Sequence, residues 1–204
     1  TNFAISDMTV VGGALSSLSS SDGGVTWTAI FTAEDNFEGT GSVAITGDVT
    51  DSFANPVTGF GSDTISIDTL NPTATVNIVD ASLNDTDNQS EVTITFSEVP
   101  SGFDPGTDLT VVGGTLGSGS FDGTGKIWTA TFTATNGVEV TGSVTLANDS
   151  YTDAVLNLGS GGSDTISIDT LNPTATVNIV DASLNDTDNQ SEVTITFSEV
   201  PSGF

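Results

Sequence analysis

The sequence predicts an all-β chain of tandem Greek-key β-sandwiches, each of about 100 residues. Three observations predict it. The chain repeats itself at a domain-sized interval. Its apolar residues alternate with period two over short runs. Gly, Asn, Asp and Pro punctuate those runs at the spacing of turns.

Residues Gly61–Phe103 recur without change at Gly162–Phe204, an offset of 101 residues. The rest repeats more loosely. Thr9-Val-Val-Gly-Gly13 answers Thr110-Val-Val-Gly-Gly114, Trp27 answers Trp128, Phe31 answers Phe132, and Gly41-Ser-Val43 answers Gly142-Ser-Val144. Small insertions fall in the loops between these anchors.

Along one unit, Thr73–Val79 and Glu91–Phe96 alternate, placing Val76 and Ile78, then Val92, Ile94 and Phe96, on one face. Leu109–Val112 follows, with a weak strand near Thr115–Phe121. Ile127–Thr133 puts Trp128, Ala130 and Phe132 on one side. Val144 and Leu146 alternate next, and Ile166 with Ile168 closes the unit. No stretch reads as a helix. About seven short strands in such a length suggest a sandwich of the immunoglobulin type. Trp27 and Trp128 are expected in the core, where large aromatics dominate packing, and not on a sugar-stacking platform.

Asp68-Thr-Leu-Asn-Pro72, repeated at Asp169–Pro173, reads as the linker, because Pro lacks an N–H and forces its predecessor into an extended conformation. Residues 1–67 are then the C-terminal part of a repeat without its first two strands. Residues 68–168 form a complete repeat, and residues 169–204 are the first two strands of a further one. The linker is short, so neighbouring repeats should touch. Segment 169–204 alone would expose Val177, Ile179, Val193, Ile195 and Phe197, and requires a partner. Two readings are open: a window from a longer array, or strands of one chain completing the N-terminal sheet of the next in a head-to-tail polymer.

Charge narrows the function. There are 27 Asp plus Glu against a single basic residue, Lys126, for a net charge of −26, and there is no His or Cys. Nucleic acid and anionic membrane surfaces would repel such a chain. A Ser-His-Asp triad, a Cys nucleophile and the usual zinc ligands are missing. A carboxylate pair suffices for glycosidase chemistry, but one Tyr and two core Trp offer no exposed aromatic platform, and no enzyme activity is expected. No apolar run reaches the ~20 residues that span a bilayer. The regular alternation argues against disorder despite the charge.

The carboxylates themselves suggest calcium, which takes six to eight hard oxygen ligands. Between the first two strands lies Asp80-Ala-Ser-Leu-Asn-Asp85-Thr-Asp87-Asn88-Gln-Ser-Glu91. If strands alternate up and down, this loop sits beside the next linker, Asp169 and Asn172, and faces the second loop of the following unit. The candidate ligands are therefore Asp68, Asn71, Asp80, Asp85, Asp87, Asn88 and Glu98. In the next repeat they are Asp169, Asn172, Asp181, Asp186 and Asp188, with Asn189 beside them. Asn148 and Asp149 with Asp153 form a weaker cluster. The alternative is that Asp and Asn simply suit turns, with charge serving solubility.

The ordered set Thr73–Ile78, Glu91–Glu98, Gly102–Leu116, Trp128–Thr133, Gly142–Leu146 and Tyr151–Ala154 resembles the bacterial Ig-like repeats of giant surface adhesins of the RTX and biofilm-associated types. The resemblance implies an extracellular, cell-surface stalk that holds binding domains away from the cell. It also implies calcium at or near the domain junctions.

Overall fold

β-branched residues alternating with Thr, Ser and Asp leave the chain one economical solution, paired strands with one apolar face. A computed structural model describes residues 3–47 and 49–202. Thr1, Asn2, Asp48, Gly203 and Phe204 lie outside the described residues. The chain divides into two compact units. One comprises Thr1–Ala74, Phe96–Asp108 and Ala147–Gly161; the other comprises Thr75–Thr95, Leu109–Leu146 and Gly162–Phe204.

In the first unit, β1 (Met8–Val11), β4 (Glu38–Ile45) and β5 (Ser62–Asp68) form an antiparallel sheet in the order β1-β4-β5. β2 (Gly13–Ser19) pairs with β3 (Thr28–Ala33), with an irregularity between Ser16 and Ser19. The unit also holds a one-turn helix, α1 (Pro105–Asp108), which the sequence reading did not anticipate. Asp104 caps it, accepting from the Gly106 N–H, while Asp108 accepts from the Asp104 N–H. Pro105 occupies the first position, where a missing N–H costs nothing.

The second unit carries the strands of the complete repeat. One sheet runs β10 (Gly114–Leu116), β12 (Ile127–Ala134), β8 (Gln89–Phe96), β6 (Ala74–Ile78), with β11 (Ser120–Phe121) also on β12. The other runs β7 (Ser82–Asn84), β14 (Gly162–Asp169), β13 (Glu139–Leu146), β9 (Leu109–Val112). Non-consecutive neighbours in both sheets are the mark of Greek-key connection. A hairpin of β15 (Ala175–Ile179) and β16 (Val193–Phe197) completes the unit.

Burial follows the alternation. Val76, Ile78, Val92, Ile94, Trp128, Ala130, Phe132, Val144, Leu146, Ile166 and Ile168 are buried, as the period-two faces require. The expected weak strand over 115–121 divides into β10 and β11. The acidic loop is not wholly a loop: Ser82–Asn84 pairs in parallel with Ser167–Asp169, and Leu83 is buried. A single Leu in a polar loop is the reason, since burying it draws the backbone onto β14.

The Thr-Val-Val-Gly-Gly motif has a local cause. Gly113 turns the chain from β9 into β10 with φ +77°, a backbone that side chains rarely tolerate. A Cβ at Gly114 would strike the Thr133 carbonyl oxygen and the Phe132 ring. Trp128 is buried as expected, but Trp27 is only half-buried. Among the described residues of the first unit, no strand pair covers β2 and β3 as β6 and β8 extend the sheet of β10 and β12.

Candidate functional site

The linkers are the chemically dense part of the chain: Asp68, Thr69 and Pro72 in the first and Thr170 and Asn172 in the second each make bonds of their own. Thr69 reaches backward: its hydroxyl donates to the Glu34 carbonyl at 2.6 Å and accepts from the Phe37 N–H at 3.0 Å. Thr170 repeats this with the Thr135 carbonyl at 2.7 Å and the Val138 N–H at 3.1 Å, and is buried. Each Thr thus seals the turn that leads into the second-to-last strand of its own repeat, β4 for Thr69 and β13 for Thr170.

Asp68 and Pro72 reach forward, within the first unit. The Asn157 side-chain N–H₂ donates to the Asp68 carbonyl oxygen at 3.1 Å, to Asp68 Oδ1 at 3.2 Å and to Asp153 Oδ2 at 2.7 Å. Tyr151 donates its hydroxyl hydrogen toward the Ser160 carbonyl at 2.9 Å, with the Pro72 carbonyl at 3.3 Å. The Ser160 N–H donates to the same Pro72 carbonyl at 2.9 Å. Tyr151 is buried, and burial first and the negative charge of Glu98 second push its hydroxyl up to about 12. It stays a neutral donor.

Asp153 is fully buried (0% exposed). Burial disfavours its charge, but the N–H groups of Asn157 and Val155 and the Asn157 amide outweigh it and hold the carboxyl below its ordinary value. Leu156, just before Asn157, sits at φ +76°, a strained backbone for a branched residue. The first repeat contains the same device. Asp51 accepts from Phe53 N, Asn55 N and Asn55 Nδ2, and Ala54 has φ +64°.

In the second unit, the following linker meets the acidic loop. Asn172 Nδ2 donates to Asp85 Oδ2 at 3.1 Å, and Asp169 pairs with Asn84 across β7 and β14. The loop closes on itself through Asn84, whose side-chain oxygen accepts from Thr86 N, Thr86 Oγ1 and Asp87 N. Asn185 does the same for Thr187 and Asp188.

Of the twelve candidate ligands, Asp85 and Asn172 are brought together. Asp68 joins Asn157 and Asp153. Asp80 stands at the end of β6, its N–H bonded to Ser90 Oγ, and Asp181 is placed likewise against Ser191. Asn71, Asp87, Asp169, Asp186 and Asp188 are exposed, and Asn88 and Glu98 are half-buried. Among the described residues, no group of three or more carboxylates gathers closely enough to hold a metal ion. The oxygens are hard enough for calcium but fall short in number at either linker. In the weaker cluster, Asn148 Oδ1 is taken by the Gly161 N–H, and Asp153 by its own turn. Some acidity is plain turn chemistry: Asp22 accepts from Ser20, Val25 and Thr26, and Asp122 from Thr124, Lys126 and Ile127.

Asn157 was missed in sequence. The signal was the shared Thr-Asp-x-x-x-Asn spacing of Thr50–Asn55 and Thr152–Asn157, which survives where the intervening residues differ.

No helix among the described residues is long and apolar enough to cross a membrane. No curated protein and no solved structure matches the chain. A family model described as a bacterial Ig-like domain matches it twice, over residues 1–67 and 68–170. With strands, sheet order and repeat in agreement, the chain belongs to the bacterial Ig-like domain family.

Proposed function

We propose that the chain is a structural spacer of a large bacterial cell-surface adhesin, with repeats joined stiffly enough to project a binding domain. Domains of this family are commonly extracellular surface domains and typically non-enzymatic. The observation that carries the reading is the linker. Five residues are bonded backward through Thr69 and forward through Asp68 and Pro72, which leaves little freedom at the joint. Near-identical repeats fit the role, since a spacer needs length and not a unique site.

Calcium belongs to the same proposal. Each linker here presents one half of a junction. The upstream half, at 169–173, offers Asp85, Asp169 and Asn172; the downstream half, at 68–72, offers Asp68, Asn157 and Glu98. A junction with both halves combines more oxygens than either linker alone, and a bound cation would offset their repulsion.

Small-angle scattering of the chain beside Asn157→Ala tests the joint. The variant should widen the distribution of interatomic distances while its melting temperature changes by only a few degrees. Identical scattering from the two would remove the clasp, and with it the reading of a stiffened spacer.

A further inference from the structure

The turn between β12 and β13 is Thr135-Asn136-Gly137-Val138, and it holds the one Asn-Gly pair in the sequence. Asn-Gly suits a tight connection between strands, because both residues accept the backbone that the hairpin twist requires. Gly137 sits at φ +72°. The ends of this turn are joined through a third residue. The Thr170 hydroxyl stands between them, donating to the Thr135 carbonyl at 2.7 Å and accepting from the Val138 N–H at 3.1 Å. The Thr170 N–H donates to the Val138 carbonyl at 2.8 Å. The two central residues are left outside this clasp. Both are exposed, and nothing lies within 4 Å of where a Cβ on Gly137 would stand. Among the described residues, no hydrogen bond holds the Asn136 amide or the Gly137 N–H.

Asparagine is a chemically labile residue, and the other asparagines of this chain are each protected. Asn55, Asn71 and Asn172 precede proline, whose nitrogen has no proton to give up. Asn84, Asn148, Asn157 and Asn185 have side chains engaged in hydrogen bonds. The remainder are followed by Phe, Ile or Gln, whose side chains crowd the next nitrogen. Asn136 alone combines a free amide with a neighbour that has no side chain.

We propose that Asn136 is a self-modifying site, converted with age to aspartate and isoaspartate by the backbone nitrogen of Gly137. That nitrogen loses its proton to solvent base and bonds to Asn136 Cγ. The bond from Cγ to the side-chain nitrogen breaks, and ammonia leaves. Water then opens the cyclic imide. Addition at Cγ restores the ordinary main chain with an aspartate side chain. Addition at the main-chain carbonyl breaks the original peptide bond, and the chain thereafter runs through Cβ and Cγ. The balance is one water consumed and one ammonia released. This goes beyond the spacer reading and does not depend on it.

The first repeat indicates what each product does to the turn. Its equivalent is Glu34-Asp35-Asn36-Phe37, spanned by the Thr69 hydroxyl with the same two bonds, and Asn36 takes the place of Gly137 at φ +56°. An ordinary aspartate is therefore already accepted at this position. Isoaspartate has no counterpart. It adds a methylene to the main chain between the Thr135 carbonyl and the Val138 N–H, the two groups that the Thr170 hydroxyl spans. The hydroxyl then loses its reach to one of them. Thr170 is the residue by which the linker at 169–173 holds its own repeat, so the isoaspartate loosens that attachment.

The full chain is aged in weakly alkaline buffer beside Gly137→Asn, which copies the first repeat, and Asn136→Asp, which supplies the ordinary product. Peptide mapping by tandem mass spectrometry, with electron-transfer fragmentation, reads both aspartates at each position. Conversion should appear at Asn136 ahead of every other asparagine and quicken with pH. It should slow by about tenfold or more in Gly137→Asn, where a side chain crowds the attacking nitrogen. Hydrogen exchange at the Val138 N–H should quicken in proportion to isoaspartate and stay slow in Asn136→Asp. Conversion of Asn136 no faster than that of Asn84, an undiminished rate in Gly137→Asn, or aspartate without isoaspartate would overturn the proposal. Unchanged exchange at Val138 in the isoaspartate form would overturn its consequence for the linker.

Discussion

Asp153 is a carboxylate buried in a chain whose other acids mostly face water, and its three donors come from Asn157 and Val155. Its lowered pKa sets a pH dependence with a definite sign. A carboxyl depressed in the folded state contributes fully above its ordinary value of about 4, and loses that contribution as pH falls through the folded value. Acid also relieves repulsion among the 27 acidic residues, which acts in the opposite direction. The comparison that isolates Asp153 is therefore between the chain and Asp153→Asn. The variant should melt several degrees lower at pH 7, and the gap should close below about pH 4. A gap that stays constant down to pH 3 would show that the charge plays no part. Asn157 matters at the same scale for another reason, since one amide serves two carboxylates on different segments.

At the scale of elements, the two identical hairpins form a controlled comparison. β8 pairs along its length with β12, and the opposing sheet supplies Val144, Leu146, Ile166 and Ile168 to the core. β16 pairs with β15 alone among the described residues. Ile94→Ala should cost about 2–5 kcal/mol, because it removes buried methyls and leaves a cavity. Ile195→Ala, the same change in the same sequence, should stay within about 0.5 kcal/mol in dilute monomer. Chemical denaturation of both variants checks this. Equal costs would mean that the second hairpin is covered even when dilute. The short strand β7 belongs here too: Ser82–Asn84 is a strand only where β14 lies alongside, and the same residues at 183–185 form none.

For the whole molecule, the decisive quantity is a net charge of −26 on 204 residues. Exposed charges more than about 8 Å apart are screened at physiological salt, so sodium chloride alone should raise the melting temperature modestly and then saturate. A cation that bridges carboxylates across a junction behaves differently, stabilising by about 2.7 kcal/mol at a hundredfold excess over its Kd. Thermal melts in chelator, in millimolar magnesium and in millimolar calcium, at matched ionic strength, separate the two. In a chain that joins two complete repeats through 169–173, so that both halves of a junction are present, a calcium-specific rise of several degrees is expected, and it should shrink in Asp85→Asn. Three superimposable curves would reduce the acidity to a screened surface and leave the hydrogen-bonded linkers as the only stiffening element.

The sequence by itself determined the strands, their faces and the family. Period-two alternation depends only on which residues share a side of a pleat, so Val92, Ile94, Trp128, Phe132 and Leu146 could be assigned to the core from spacing alone. It also determined the hairpin: the Val79–Glu91 and Ser97–Thr73 backbone bonds of the first copy reappear as Val180–Glu192 and Ser198–Thr174 in the second. Of the candidate site, the meeting of the acidic loop with the following linker was legible, because strand direction places loop ends. The amide of Asn157 was not, because its partners Asp68 and Asp153 are joined by folding across 89 and 4 residues. Only the tertiary structure decided burial. Residues 74–96 and 175–197 are letter for letter the same, yet Val76, Ile78, Val92 and Ile94 are buried while Val177, Ile179, Val193 and Ile195 are exposed. The difference is whether a second sheet lies against the apolar face, and no residue within the hairpin can specify that.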